Sequence, residues 1–256
     1  VFFSYIENFT TMSETMPPER VTEMLNKYLT PVTNTILEHG GYLDKYVGDG
    51  VMAVWGAPYP DQRHAEEACR AALDQQRQIA GLRIDFMTRF GCELNVRMGL
   101  NSGRVTAGNM GSEKKFQYTV IGDTVNFASR LEPVNKDFGT DIVIGETTYR
   151  IVKDIFVTRA LGRLVVIGKK EIVPVYELVA INGECDDLKM KTLCMYEEAL
   201  DLFHNREWHR SMEIIEKILS AYPDRPSMHL KARLAECITN QPDNSWMGEY
   251  VRPNKN

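Results

Sequence analysis

The sequence predicts an α+β sandwich with a helical extension at its C-terminal end. Two observations point to the sandwich: short β-branched and aromatic runs alternate with amphipathic helical stretches, and several strand pairs are joined by tight turns instead of long crossovers. A third, the continuous helical patterning from about residue 186 to 240, sets the extension apart. A hydrophobic content of 43% beside 25% charged residues is enough apolar surface for a packed core.

The first strand covers residues 1–6, and Pro18 suits the first position of the helix that follows. In that helix Val21, Met24, Leu25, Tyr28, Leu29, Val32, Ile36 and Leu37 recur at helical spacing, with Pro31 a candidate kink and Gly40-Gly41 a left-handed stop. Two apolar runs, residues 42–47 and 51–55, flank Gly48-Asp49-Gly50, and Asp-Gly is a strong hairpin signal that places Asp49 at the tip. Asp61 is a candidate cap for a long helix running to about Thr88. Strands are expected over 93–101, 104–109 and 115–121, and Asp123 caps a helix ending near 135–138. Ile142-Val143-Ile144 reads as a buried strand; a short helix and strands near Phe156, Val165 and Val175 complete the first unit. The expected division is residues 1–180, then a tetratricopeptide-like helical segment over 186–240, then a tail over 241–256. A single such repeat cannot cover its own apolar face, so it is expected to pack on the first unit or on a partner.

A net charge of −5 and the lack of a basic run interleaved with aromatics argue against a nucleic-acid partner. The five cysteines show neither C-x-x-C pairing nor metal-ligand spacing, which suits a reducing, cytoplasmic compartment. No apolar run reaches the roughly 18 residues of a membrane span. The sequence starts in Val1-Phe2-Phe3 without Met, so it is expected to be part of a longer chain in which any membrane anchor would lie upstream.

Four segments carry chemistry. VFFSYIENFTTMSE joins a strand, a tight turn and a helix start, where free backbone N–H groups can receive phosphate oxygens. DKYVGDGVMAVWG sets an acidic hairpin tip between glycines that let a cation approach, and VRMGLNSGRVTAGNMG holds Arg97 in a Gly-rich stretch. YTVIGDTVNFASRLE puts Asn126 and Arg130 on one helix face, an amide and a guanidinium able to hold a ribose and a polyphosphate. Taken singly, Asp49 is usually a turn residue, Arg97 a solvated strand residue, and the Asn126/Arg130 pair an ordinary polar helix face.

In this order, over residues 1–180, the four segments resemble the class III adenylate and guanylate cyclases. The resemblance implies a ferredoxin-like sandwich that pairs head to tail as a homodimer, with ATP as substrate and Mg²⁺ or Mn²⁺ as cofactor. It places the metal positions at Tyr5 and Asp49, with the Ile6 backbone carbonyl near a metal, and matches Phe9 and Thr10 to the turn that contacts the triphosphate. Lys45 and Thr119 fall at the base-selecting positions, where a Lys/Thr pair resembles the ATP-selective subgroup. Arg97 matches a phosphate-binding arginine; Asn126 and Arg130 match the catalytic pair that positions the ribose and stabilises the transition state. The implied reaction is attack of the ribose 3′-hydroxyl on the α-phosphorus, giving 3′,5′-cyclic AMP and pyrophosphate.

The sequence departs from this pattern at two places. Tyrosine replaces the aspartate expected at position 5, and a neutral phenol is a poor substitute for the hard anionic oxygens that Mg²⁺ prefers, so activity is expected to be impaired. Ile167 stands where many relatives carry a triphosphate-binding lysine, and Lys169 or Lys170 is the candidate replacement. The alternative expectation is a non-catalytic module that binds nucleotide or serves as the regulatory half of a pair.

Overall fold

The computed structural model describes residues 1–165 and 172–252. In chain order its elements are β1 (Phe2–Ile6), α1 (Phe9–Glu14), α2 (Pro18–Glu38), β2 (Tyr42–Val47), β3 (Gly50–Val54), α3 (His64–Phe90), β4 (Val96–Leu100), β5 (Thr106–Ser112) and β6 (Lys115–Ile121). They continue with α4 (Asp123–Phe138), β7 (Ile142–Gly145), α5 (Glu146–Val152), β8 (Phe156–Val165), β9 (Ile172–Ile181), α6 (Asp187–His204), α7 (Trp208–Ala221), α8 (Arg225–Thr239) and β10 (Glu249–Val251). Eight strands form one sheet in the order β10-β8-β9-β7-β4-β1-β3-β2, and β5 and β6 form a separate hairpin. The α+β expectation, with a helical C-terminal region, holds.

β1 lies at the heart of the site because it pairs antiparallel with β3 on one side and β4 on the other. Side chains alternate across a strand. Phe2 and Ile6 accordingly join the core under α2 and α3, whereas Phe3 and Tyr5 face the opposite layer with Val120, Val125 and Ala128. That second layer is α4, and Gly99 lets it approach: a Cβ there would stand 2.4 Å from the Glu132 backbone nitrogen and 2.8 Å from the Ala128 carbonyl oxygen. Only a residue without a side chain permits such helix-on-strand contact.

Several local expectations are corrected. Asp61 does not cap α3, which starts at His64 after Arg63; its carboxylate accepts the Arg63 N–H at 2.8 Å and so closes the preceding turn. Asp123 is the first residue of α4, and Gly122, with φ 142°, takes the capping position. The strand expected over 104–109 is β5, shifted to Thr106–Ser112 because it pairs in register with β6. The segment read as a tail contributes β10, which adds in parallel to the edge of β8.

The C-terminal helices build their own core around Tyr196, Phe203, Trp208, Ile215 and Leu230. They also grip the sheet. Asp224 caps α8 through the Ser227 N–H and accepts from the buried Arg159 of β8 at 2.6 Å. Arg159 also pairs with Glu177 of β9, and its guanidinium lies 4.7 Å from the Tyr196 ring centroid. The cysteines among the described residues are free. No described helix is long and apolar enough to cross a membrane.

Candidate functional site

The turn between β2 and β3 fixes Asp49 against the end of β1. Gly48 adopts φ 63°, a left-handed conformation that glycine reaches without strain, and the Asp49 carboxylate accepts the Ile6 N–H at 2.9 Å. Burial raises the Asp49 pKa above the ordinary aspartate value, although N–H bonds from Asp49 and Ile6 and the nearby Arg97 charge pull the other way. Tyr5 fills the adjoining space, its ring lying so close to Gly50 that a Cβ there would be 2.2 Å from Tyr5 Cε1. Burial, then the charges of Glu132 and Asp49, push the Tyr5 phenol above its ordinary 10.0, so it is neutral near pH 7.

Strand pairing sets Arg97 of β4 opposite Tyr5. Arg97 Nε donates to Glu132 Oε1 at 2.9 Å, and Arg97 Nη1 lies 3.8 Å from Glu7. Glu132 is buried on α4, and that burial raises its pKa even though Arg97 draws it down. A pair of Mg²⁺ or Mn²⁺ ions needs several hard anionic oxygens. Here Asp49 stands beside a neutral phenol, and both Glu132 and Glu7 face Arg97. No cluster of three or more metal-ligating side chains exists among the described residues. The residues present do not fit a two-ion centre.

A second group forms between β2 and the β5–β6 hairpin. A β-bulge between Leu43 and Lys45 places Asp44 inward, its side chain 0% exposed. Thr119 Oγ1 donates to Asp44 Oδ2 at 2.5 Å, Lys45 Nζ lies 3.2 Å from Asp44 Oδ1, and Gln117 Nε2 donates to the Asp44 carbonyl at 3.0 Å. Lys45 and Thr119, the two base-selecting candidates, thus converge on one buried carboxylate.

The remaining candidates fall elsewhere. Phe9 begins α1 and packs on the main core, with Thr10 exposed beside it. Asn126 and Arg130 lie on the exposed face of α4, and neither side chain has a polar partner among the described residues. They are not joined to the Asp49 group within the chain by any described contact. Ile167, Lys169 and Lys170 lie outside the described residues.

Residues 1–179 match the family described as the adenylate and guanylate cyclase catalytic domain. The chain belongs to this family.

Adenylate cyclase 1 of Rhizobium meliloti is 36% identical over 179 residues, 70% of this chain and 27% of that protein. The terminal-differentiation specific adenylate cyclase of Dictyostelium discoideum is 32% identical over 251 residues, 94% of this chain and 11% of that protein. The chain therefore spans only a minor part of the length of these curated relatives. Among solved structures, the adenylyl cyclase CyaB from P. aeruginosa matches with a TM-score of 0.67 at 33% identity, covering 72% of this chain and 95% of that one. The GTP-bound guanylate cyclase domain of RhGC from Catenaria anguillulae matches at 0.63 with 34% identity, covering 71% and 95%.

Two members of this candidate site escaped the sequence reading. Nothing in the sequence singles out Glu132, and only the close approach at Gly99 brings it to Arg97. Asp44 neighbours Lys45 in sequence, but strand alternation gives no sign of the bulge that buries it.

Proposed function

We propose that this domain is an adenylate cyclase whose turnover is held low by Tyr5. The observation that carries the reading is the convergence of Lys45 and Thr119, from two separate elements, on Asp44, which supports their proposed role as a base-selecting edge. Asn126 and Arg130, exposed and without side-chain polar partners among the described residues, and the similarity to adenylate cyclases support it.

In the proposed reaction the ribose 3′-hydroxyl oxygen of ATP forms a bond to the α-phosphorus, and the bond from that phosphorus to the pyrophosphate oxygen breaks. Asn126 holds the ribose, and Arg130 offsets negative charge growing on the phosphoryl oxygens. Phe9 and Thr10 border the triphosphate, and Arg97 faces its phosphates. The Asn126/Arg130 face and the Asp49 group are not joined within one chain, which suits a head-to-tail homodimer in which each protomer supplies one half. In cyclases divalent ions neutralise the triphosphate. The donor set here does not fit two of them, and this is the reason turnover is held low.

The test is cyclic AMP and cyclic GMP formation from ATP and GTP, with Mg²⁺ or Mn²⁺, by this chain and by Tyr5→Asp. Restoring the carboxylate should raise cyclic AMP formation by about 100-fold or more, since each tenfold corresponds to about 1.4 kcal/mol of transition-state stabilisation. Equal, background-level turnover in both forms would reject the reading. The neutral phenol of Tyr5 also favours a second reading, a non-catalytic nucleotide-binding half of a pair. Tight binding of a non-cyclising ATP analogue without turnover in either form would support that one.

A further inference from the structure

Lys45 and Thr119 present hydrogen-bonding groups whose direction is set by a third residue. A threonine hydroxyl has one hydrogen to give and two lone pairs to offer. Here the hydrogen goes to Asp44 Oδ2 at 2.5 Å, inside a site where the Asp44 side chain is fully buried and Thr119 is 8% exposed. Asp44 cannot turn away. Gln117 Nε2 holds its carbonyl at 3.0 Å and stands 3.5 Å from Oδ1, while the Tyr42 hydroxyl donates to the Tyr118 carbonyl at 3.2 Å and ties β2 to β6 alongside. What Thr119 has left for a ligand is acceptor capacity. Lys45, whose side chain is 36% exposed, can only donate.

The purine bases differ at this edge. Adenine carries an amino donor at position 6 and an acceptor at ring nitrogen 1, whereas guanine carries a carbonyl acceptor at position 6 and an N–H at position 1. With the ribose anchored, the register of the base is fixed. In the adenylate cyclase reading Thr119 faces position 6 and Lys45 faces position 1; an acceptor and a donor so placed match adenine at both contacts and oppose guanine at both, whereas the reverse placement would match guanine.

We propose that Asp44 is a specificity-determining residue that, by taking the Thr119 hydroxyl hydrogen, makes Thr119 an obligate acceptor for the 6-amino group of adenine and so excludes guanine. This rests on the adenylate cyclase reading above, and it adds that selectivity is set by a residue that need not touch the base. A direct hydrogen-bond donor at position 119 would serve guanine equally well; the carboxylate behind it removes that option.

The experiment measures binding of non-cyclising ATP and GTP analogues by calorimetry; the ratio of their affinities needs no turnover, and the triphosphate site beside Tyr5 is common to both. The wild-type chain should prefer the ATP analogue. In Asp44→Asn, whose amide can donate to Thr119 and release the hydroxyl hydrogen, the ATP-over-GTP ratio should fall about tenfold, the scale of one misdirected hydrogen bond. Adding Asp44→Asn to Thr119→Val should change the ratio no further. A folded Asp44→Asn with the wild-type ratio would overturn the inference while leaving the nucleotide site intact. Should Asp44→Asn fail to fold, Thr119→Val decides: ATP-analogue affinity should fall about tenfold with GTP-analogue affinity unchanged. A parallel fall in both would show a hydroxyl free to donate, and would also overturn it. Binding of neither analogue by the wild-type chain would sink the nucleotide-site reading and this inference together.

Discussion

Tyr5 and Gly50 share a space that holds one side chain. The Tyr5 ring covers the Gly50 backbone so closely that a methyl group there would sit 2.2 Å from Cε1 and 2.5 Å from Cζ. The φ of Gly50 is not left-handed, so an alanine at this position meets a steric obstacle and no backbone strain. Gly50→Ala should therefore destabilise the chain by about 1–3 kcal/mol in urea unfolding, the usual cost of overpacking. In a Tyr5→Asp background the ring is gone and the cost should shrink to a few tenths of a kcal/mol, about the effect of an ordinary unobstructed substitution. An equal cost in both backgrounds would show that the obstruction lies elsewhere. The same pair shows how local the departure from the expected pattern is: Asp49 keeps its N–H partner on β1, while a phenol stands where a carboxylate was expected.

At the scale of elements, what the sequence disclosed depended on whether the cause was local. The Asp49 hairpin was legible because Gly48 and Gly50 flank one acidic residue, and the extent of α4 was legible to within a residue or so at its start near Asp123 and its end near 135–138, although Gly122 takes the cap expected of Asp123. β10 was not legible: three residues, Glu249–Val251, become a strand only because β8 offers them an edge. Nor was the buried role of Arg159, whose partners Glu177 and Asp224 come from β9 and from the turn before α8. That cluster makes a pH prediction. Burial pushes the Asp224 pKa up, but the Arg159 charge and hydrogen bonds from Arg159 and Ser227 outweigh it and leave the net value below the ordinary 3.8. A carboxylate with a depressed folded-state pKa contributes stability that is complete above its unfolded value and is lost as pH falls through the folded one. Urea unfolding should therefore show stability dropping as pH falls below about 4, and Asp224→Asn, though weaker at neutral pH, should flatten that acid limb. A slope unchanged in Asp224→Asn would assign it to other carboxylates.

Over the whole molecule the sheet order separates two jobs. β2, with the Asp44 group, lies at one edge, and β10 and β8, gripped by the C-terminal helices, lie at the other. Between them α4 reaches from Asn126 and Arg130 down to Phe138, whose ring meets Tyr250 at 5.5 Å. Its last turn is held by Asp137 to Arg252 at 2.9 Å and by the approach of Arg225 and His229 to Gly139. The C-terminal segment thus clamps the far end of the helix that carries the proposed catalytic pair. Removing everything after Ile181 would uncover Phe138, Leu161 and Leu164, free the edge of β8 and leave the buried Arg159 without Asp224. Breaking a buried ion pair alone costs about 3–5 kcal/mol, so the truncated chain should melt lower by about 10 °C or more. In a Tyr5→Asp background, cyclic AMP formation should fall with it because α4 loses its anchor. The ATP-over-GTP binding ratio, set at the opposite edge of the sheet, should hold. A truncation that left both melting and turnover unchanged would mean that the helices sit on the sheet without supporting it, and a ratio that fell in step with turnover would mean that the two edges do not act separately.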